Sequence, residues 1–289
     1  MMDVSVIIVN YNTRKITVNC IDSIFAQTSG LEFEVILVDN ASTDGSKEWF
    51  EKDDRITYIY SKKNLGFGCA NNLGYAHCTG KYIFCLNSDT ILLNNALLLF
   101  LNKMENLPAE VGCLGTLLLN RQRQVMHSYG QFPTLLGNIK WRLGKTCEWK
   151  DPKWMQADDT RFFEVGYVTG ADLFIRRSVI ESCGFFDPDF FLYFEETEMQ
   201  WRFQNRGYKV YVYADPQIVH LEGGSAPKHT PVMKTLRSLQ RIVNSERLYF
   251  KKTHSMLFYY TVVLPYTAAN FLWLVGKTFV AGVLKHIRK

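Results

Sequence analysis

Apolar runs alternate with helical spacings through the first hundred residues of the chain. The runs VSVIIV (Val4–Val9), FEVILV (Phe33–Val38), ITYIY (Ile56–Tyr60) and KYIFCL (Lys81–Leu86) predict four strands. Between them, residues such as Val18, Ile21, Ile24 and Phe25 recur at helical intervals. Strands alternating with helices predict an α/β fold with a mostly parallel central sheet flanked by helices. In such sheets ligands bind beyond the carboxyl ends of the strands, where the connecting loops gather.

After residue 104 the pattern is mixed. Val111–Leu119 and Gln124–Ser128 are expected to pair as strands, and Tyr129–Phe163, aromatic and basic, reads as a mobile or ligand-covering loop. Regularity returns at Val165. VGYVTGADLFIRR leads into a short helix, a second helix starts at the acids Glu195, Glu196 and Glu198, and a later strand ends at His220. A basic helix is expected over Pro231–Lys252, with Leu236, Leu239 and Val243 on one face. The expected organisation is one domain over residues 1–228, divided near residue 104, then a C-terminal helical extension over 229–289.

Four polar loops follow the four strands: Asn10-Tyr11-Asn12, Asp39 to Asp44, Asn64 to Gly68, and Asn87-Ser88-Asp89-Thr90. Any one of them could simply cap a helix or make a turn. Four on one sheet edge point instead to a ligand site. Asp89 follows a buried strand, where a carboxylate is costly unless it binds something. One or two carboxylates completed by substrate phosphates are the usual way Mg²⁺ or Mn²⁺ is held. His220 could add an imidazole ligand or a hydrogen bond to phosphate, or be a structural histidine. In the acidic cluster, Arg202 lies four residues after Glu198 and is expected to pair with it, leaving Glu195 or Glu196 to face the cleft as a general base. Acids at a helix start are also favoured by the helix dipole alone.

Charge adds less. The chain of 289 residues carries a net charge of +5, concentrated in two basic stretches, Arg121–Lys153 and Lys228–Lys252. Such stretches suit nucleic acid, anionic lipid or a phosphorylated substrate. The seven cysteines form no CxxC pair, which fits a reducing compartment. No secretory signal is legible at the N-terminus. Residues 255–276 lack charge and are long enough to cross a bilayer as a helix, although Pro265 sits among them and a helix packed on the domain is the alternative. Tyr259, Tyr260, Tyr266 and Trp273 suit a membrane interface.

GFGCANNLG lacks the spacing of a dinucleotide fingerprint and the Lys-Ser/Thr of a P-loop, and neither HExxH nor GxSxG occurs. The blocks SVIIVNYN, VDNASTDGS, NLGFGCANNLG, LNSDT, TGADLFIRR, GFFDPDFFLYFEETE and IVHLEGGS stand in one order between Val4 and Ser225. In that order they resemble the bacterial family 2 glycosyltransferases, in particular their rhamnosyltransferase-like branch.

The resemblance implies a GT-A type fold, a nucleoside-diphosphate sugar donor, a divalent metal (Mg²⁺ or Mn²⁺) and inversion at the anomeric carbon. Residues 1–104 become the nucleotide-sugar half and 105–228 the acceptor half. Asn10 and Asp39 match nucleoside contacts, and Asn64, Gly66 and Asn72 match the loop beside the diphosphate. Asp89 matches the last acid of the metal motif, whose first acid is Asn87 here, and His220 matches a histidine that completes the metal or phosphate site. Glu196 matches the base, a position where Asp is frequent. The implied acceptor is a glycan carried on polyprenyl diphosphate, in cell-surface polysaccharide synthesis. The enzyme is then expected in the cytoplasm, at the inner face of the membrane, held there through its C-terminal region, with no nucleic-acid partner. The branch leans toward dTDP-L-rhamnose, while UDP-linked hexoses use the same loops. A processive synthase is disfavoured because Gln200-Trp201-Arg202 does not have the QxxRW spacing. A non-catalytic sugar-nucleotide or glycan binder is the reading from another class.

Overall fold

The four apolar runs form strands: β1 (Val4–Asn10), β2 (Phe33–Asp39), β3 (Thr57–Tyr60) and β4 (Tyr82–Asn87). They pair in parallel, with Asn10 beside Asp39, Asp39 beside Tyr60, and Val9 beside Asn87. Their carboxyl ends are therefore level, and the four polar loops open on one edge. The connecting helices are α1 (Arg14–Gln27), α2 (Ser46–Phe50) and α3 (Phe67–Tyr75). The computed structural model describes residues 2–134, 161–221 and 232–287. The expected covering loop falls largely outside them, as do Glu222–Ser225 of the last matching block.

The remaining elements are β5 (Thr90–Leu92), α4 (Ala96–Glu105), β6 (Val111–Gly115), β7 (Tyr129–Gly130), β8 (Phe162–Val165), β9 (Tyr167–Val168), β10 (Asp172–Arg176), α5 (Arg177–Cys183), α6 (Glu195–Asn205), β11 (Lys209–Tyr213), β12 (Ile218–His220) and α7 (Val232–Thr253). The main sheet runs β3-β2-β1-β4-β10-β6-β11-β8. Strand β10 is antiparallel to both its neighbours and sets Asp172 beside Leu86. Because it runs backwards, the residues just before it arrive at the ligand edge.

Alternation along the buried strands divides the core between two faces. Val6, Ile8, Val35, Leu37 and Phe84 pack with Ile21, Ile24 and Phe100 on one face. Ile7, Ile83, Cys85, Leu173 and Ile175 pack with Val179, Met199 and Phe203 on the other. Both faces are covered, which is why these strands read as continuous apolar runs.

Two expectations are corrected. Of Val111–Leu119 only Val111–Gly115 is strand, and Gln124–Ser128 is none. The Asn120 side chain accepts from the amides of Gln122 and Gln124, each at 2.9 Å, and closes a tight turn. Leu119 makes isolated bridges to Val125 and to Val219, so part of its pairing capacity goes to β12. The second concerns residues 255–276, long enough in sequence to cross a bilayer, with a helix packed on the domain as the alternative. There α-helical Met256–Phe258, a π-helical turn at Tyr259–Val263 and α8 (Leu264–Ile287) follow one another without a break. The π turn lies just ahead of Pro265, which has no amide hydrogen to donate. Among the described residues no helix is long and apolar enough to span a bilayer.

The basic helix does form, as α7. Val243 is buried and Leu239 half-buried, whereas the side chain of Leu236 lies outside those described. Phe190, Tyr249, Phe250, Tyr259 and Val263 form a separate aromatic cluster that fastens the extension to the loop ahead of α6.

Inside the sheet, Asp172 is wholly buried, accepts from the Thr116 amide at 2.5 Å and leaves Oδ1 without a partner. Burial raises its pKa well above the usual carboxylate range, so the folded chain holds a proton there that the unfolded chain releases. Stability contributed by this group falls as pH rises above the ordinary range of about 4. Asp172→Asn is therefore expected to melt several degrees higher than wild type at pH near 8, with the gap closing on acidification. A wild type and variant with parallel melting curves from acid to alkaline pH would show that Asp172 is not protonated in the folded state.

Candidate active site

Beyond β1 and β2 the polar side chains first serve the loops themselves. Asn10 is fully buried, and its amide donates to Ser42 Oγ at 3.0 Å and to Ser46 Oγ at 2.9 Å. Its Oδ1 accepts from the hydroxyls of Thr13 and Thr17 at 2.8 and 3.0 Å. Asp39 accepts from the Ser42 amide and from the Tyr58 hydroxyl, both at 2.9 Å. Burial and this carboxylate keep the Tyr58 phenol protonated, well above its ordinary range. Asn72 bonds the Phe186 backbone in both directions, donating to its carbonyl at 2.7 Å and accepting from its amide at 3.1 Å. These three predicted donor contacts thus sit behind the loops and hold them.

Others reach open space. Asn64, Gly66, Asn87 and Asp89 line a cavity of about 310 Å³ together with Tyr11, Asn40, Phe191 and Arg241. A second cavity of about 210 Å³ is lined by Asn87, His127, Gly170, Glu195, Glu196 and His220. Phe67, Asn87 and Leu192 border both, so the two form one bent cleft.

Gly66 fixes the shared wall. Its φ is +81°, in the left-handed region, and a Cβ there would overlap the Phe191 carbonyl oxygen, which accepts from the Phe67 amide at 3.0 Å. Gly66→Ala must displace the Phe191–Phe194 turn and pay left-handed strain together. It should lower stability by about 1–3 kcal/mol and depress activity; a variant equal to wild type in both melting temperature and turnover would show that the close approach is dispensable.

The lower rim follows from strand pairing. His220 pairs with Thr90 across β12 and β5, which brings its ring beside the preceding Asp89. His220 Nε2 lies 3.1 Å from Asp89 Oδ1 and 3.4 Å from Asn87 Nδ2. Among the described residues no group of three or more His, Cys, Asp or Glu gathers as a metal cluster. One carboxylate and one imidazole, beside an amide, suit Mn²⁺ or a similar divalent ion only if phosphate and water complete the shell.

The upper rim carries the acids. Tyr193 and Phe194 both have positive φ, at 74° and 67°, immediately before α6. Non-glycine residues held there in succession mark a strained turn, of the kind that clusters at functional sites. It leads into Glu195, Glu196 and Glu198 with three different environments. Glu198 pairs with Arg202 at 2.8 Å, as the spacing predicts. Glu195 is buried and its Oε2 has no partner. Desolvation, with the charge of Glu196 next, raises its pKa well above the ordinary range. Glu196 is half-buried at the cavity, and burial raises its pKa too. The pair therefore holds one proton more readily than isolated glutamates do.

Asn40 and Arg241 are among the lining residues that the sequence reading did not name. Asn40 donates to Asn64 Oδ1 and the Gly66 carbonyl, each at 3.1 Å, and accepts from the Leu65 amide at 2.8 Å, so it ties two loops together. Its adjacency to Asp39 was the available signal. Arg241 comes from α7, inside the basic stretch Lys228–Lys252 that suits a phosphorylated substrate, but local sequence does not place that helix at the cleft.

Comparison with known proteins bears on the family and the fold. The profile described as Glycosyl transferase family 2 matches residues 5–184. The chain is 27% identical over 207 residues to the low-salt glycan biosynthesis hexosyltransferase Agl10 of Haloferax volcanii, covering 69% of this chain and 61% of that protein. It is 28% identical over 221 residues to the O-antigen biosynthesis protein RfbC of Myxococcus xanthus, covering 71% of this chain and 16% of that one. An uncharacterized glycosyltransferase of Rickettsia bellii is 43% identical over 105 residues, 35% of this chain and 15% of the relative. The chain thus spans less than two thirds of each of these relatives. Among solved structures, the mannosyltransferase PcManGT of Pyrobaculum calidifontis, in complex with GDP-Man and Mn²⁺, superposes with a TM-score of 0.56 at 18% identity, over 99% of this chain and 83% of that one. GalNAc-T7 with UDP, GalNAc and Mn²⁺ gives a TM-score of 0.61 at 14% identity, over 90% and 53%. At such identities the likeness is one of fold, and the fold is GT-A. The profile match, by contrast, extends over more than half the sequence, and on it the chain belongs to glycosyl transferase family 2.

Proposed function

We propose that the chain transfers one sugar from a nucleoside-diphosphate sugar to a hydroxyl of a glycan acceptor, with inversion, in cell-surface polysaccharide synthesis. The observation that carries this reading is the bent cleft, with the Asp89–His220 pair on one rim, Glu196 on the other and Asn87 bordering both of its cavities. Asn64, Gly66, Asn87 and Asp89 would face the donor, while Asn10, Asp39 and Asn72 set the loops that receive it. Asp89 and His220 would hold Mg²⁺ or Mn²⁺, which when bound offsets the charge of the departing diphosphate. Glu196 takes the proton of the acceptor hydroxyl as that oxygen attacks the anomeric carbon from the face opposite the leaving group. A single displacement inverts the centre.

The finer reading extends the same scheme. L-Rhamnose is the proposed sugar, and a polyprenyl-diphosphate-linked glycan the proposed acceptor. Residues 1–228 act as the catalytic unit and 229–289 as an extension that meets the inner face of the cytoplasmic membrane. What supports contact with the membrane is the exposure of Leu257, Tyr260, Leu272 and Trp273, at 74%, 58%, 72% and 46%. The test is a panel of nucleotide sugars with Mn²⁺ or Mg²⁺, following release of nucleoside diphosphate. Metal-dependent turnover of at least one donor is expected; none with any donor or metal would sink the reading.

A further inference from the structure

Arg241 stands apart from everything assigned above. It belongs to α7, well beyond residue 184, where the family profile ends, yet it lines the cavity that Asn64, Asn87 and Asp89 share. Among the described residues of that lining it is the one cation, and Asp89 the one carboxylate. Among the described residues no carboxylate pairs with its guanidinium, whose partner is the face of the Phe191 ring, 5.0 Å away. An arginine stacked on an aromatic face keeps its edge N–H donors for another ligand.

Its position is held from below. Arg241, Ser245, Leu248 and Lys252 follow one another at helical spacing on a single face of α7. Ser245 Oγ donates to the Leu192 carbonyl at 2.8 Å, and Lys252 pairs with Asp187 and Asp189 at 2.7 and 2.6 Å. Tyr249 and Phe250 pack with Phe190. The helix is thus fastened at several points to the segment 187–192, whose Leu192 borders both cavities.

The charge balance of the cleft explains what the arginine would serve. Asn87 stands where an acid would be the second carboxylate, so a divalent ion at Asp89 is held by fewer protein charges and depends more on the diphosphate for its ligands. A diphosphate in turn needs positive charge beyond one ion, and a guanidinium matches phosphate oxygens in two-point geometry. We propose that Arg241 binds the diphosphate of the donor, so that the C-terminal helical extension completes the donor site. This rests on the donor reading above.

The experiment uses the full chain with Mn²⁺ and titrates GDP, UDP and dTDP by calorimetry, with the matching nucleosides followed by saturation-transfer NMR. Whichever diphosphate the wild type binds is expected to weaken on the order of 10- to 100-fold in Arg241→Gln, the loss typical of charge-assisted hydrogen bonds. Arg241→Lys should recover part of it, and nucleoside binding should not change. Arg241 is exposed, so unchanged melting curves are expected for both variants. Undiminished diphosphate binding in Arg241→Gln overturns the proposal. So does an equal loss for diphosphate and nucleoside, which would mean that the arginine only props the Phe191 wall. If the wild type binds none of the three diphosphates, the donor reading itself fails, and this proposal with it.

Discussion

Glu196→Gln is expected to lower sugar transfer by about 10²- to 10⁴-fold, the usual contribution of a positioned general base, with donor binding unchanged. The amide keeps the shape of the side chain and its hydrogen-bonding reach, but cannot take the proton of the acceptor hydroxyl. The neighbouring acid gives the contrast. Glu195 is buried more deeply than Glu196, its Oε2 has no partner, and burial with the charge of Glu196 raises its pKa, so Gln at 195 keeps its shape and removes only its charge. Glu195→Gln should retain most of the activity. The pH profile supplies an independent reading. Burial raises the pKa of Glu196, so the acidic limb of turnover should lie above the ordinary glutamate range near about 4.3. Below that limb the base is protonated and the rate falls; above it the carboxylate is free. Steady-state rates of the two variants across pH decide the matter. Wild-type turnover in Glu196→Gln, or collapse in Glu195→Gln alone, would assign the base to the wrong acid.

The second large effect is expected at Asp89. Because Asn87 replaces the other acid of the loop, Asp89 is the only carboxylate this loop offers a cation, and His220 is its neighbour at 3.1 Å. Asp89→Ala leaves an imidazole and an amide, which hold a divalent ion poorly without an anionic ligand. Loss of the metal removes several kcal/mol of stabilisation from the departing diphosphate, so activity should drop on the order of 10³-fold. Mn²⁺ binding, followed by its electron paramagnetic resonance signal with nucleotide present, should weaken in parallel. An Asp89→Ala protein that binds Mn²⁺ and turns over like wild type would place the ion elsewhere.

Much of this fold was legible because its buried strands carry unbroken apolar runs. The expected Val4–Val9 and Phe33–Val38 became β1 and β2, each one residue longer at the polar end. Those extra residues are Asn10 and Asp39, which a search for apolar runs leaves out. Local chemistry misled where pairing was decided at a distance. Leu119 contacts Val219, a hundred residues on, and no periodicity in 111–128 announces that. In the cleft, residues on adjacent strand ends could be brought together from sequence because parallel register is level. The depth of Asn10 and Asp39 could not, since a side chain that contacts a ligand and one that braces the loop beneath it have the same spacing. Arg241 was illegible for a third reason: its place depends on how Lys252, Ser245 and Tyr249 dock, which is tertiary packing. The uncharged run 255–276 has the length of a membrane span, yet among the described residues no helix is long and apolar enough to cross a bilayer.

The aromatic cluster that joins Phe190 to Tyr249, Phe250, Tyr259 and Val263 also bears on the order in which the molecule can become competent. Synthesis proceeds from the N-terminus, and domains generally fold as they emerge. Every strand of the main sheet has been made once Tyr213 has left the ribosome. The turn that carries Tyr193 and Phe194 at positive φ then still lacks its packing partners, which lie between residues 245 and 263. A nascent chain can therefore own a finished sheet, with Asp89 and His220 already paired across β5 and β12, while the turn leading to Glu196 is still unbraced. The bracing of the turn that leads to Glu196 thus comes from residues made only after the whole main sheet.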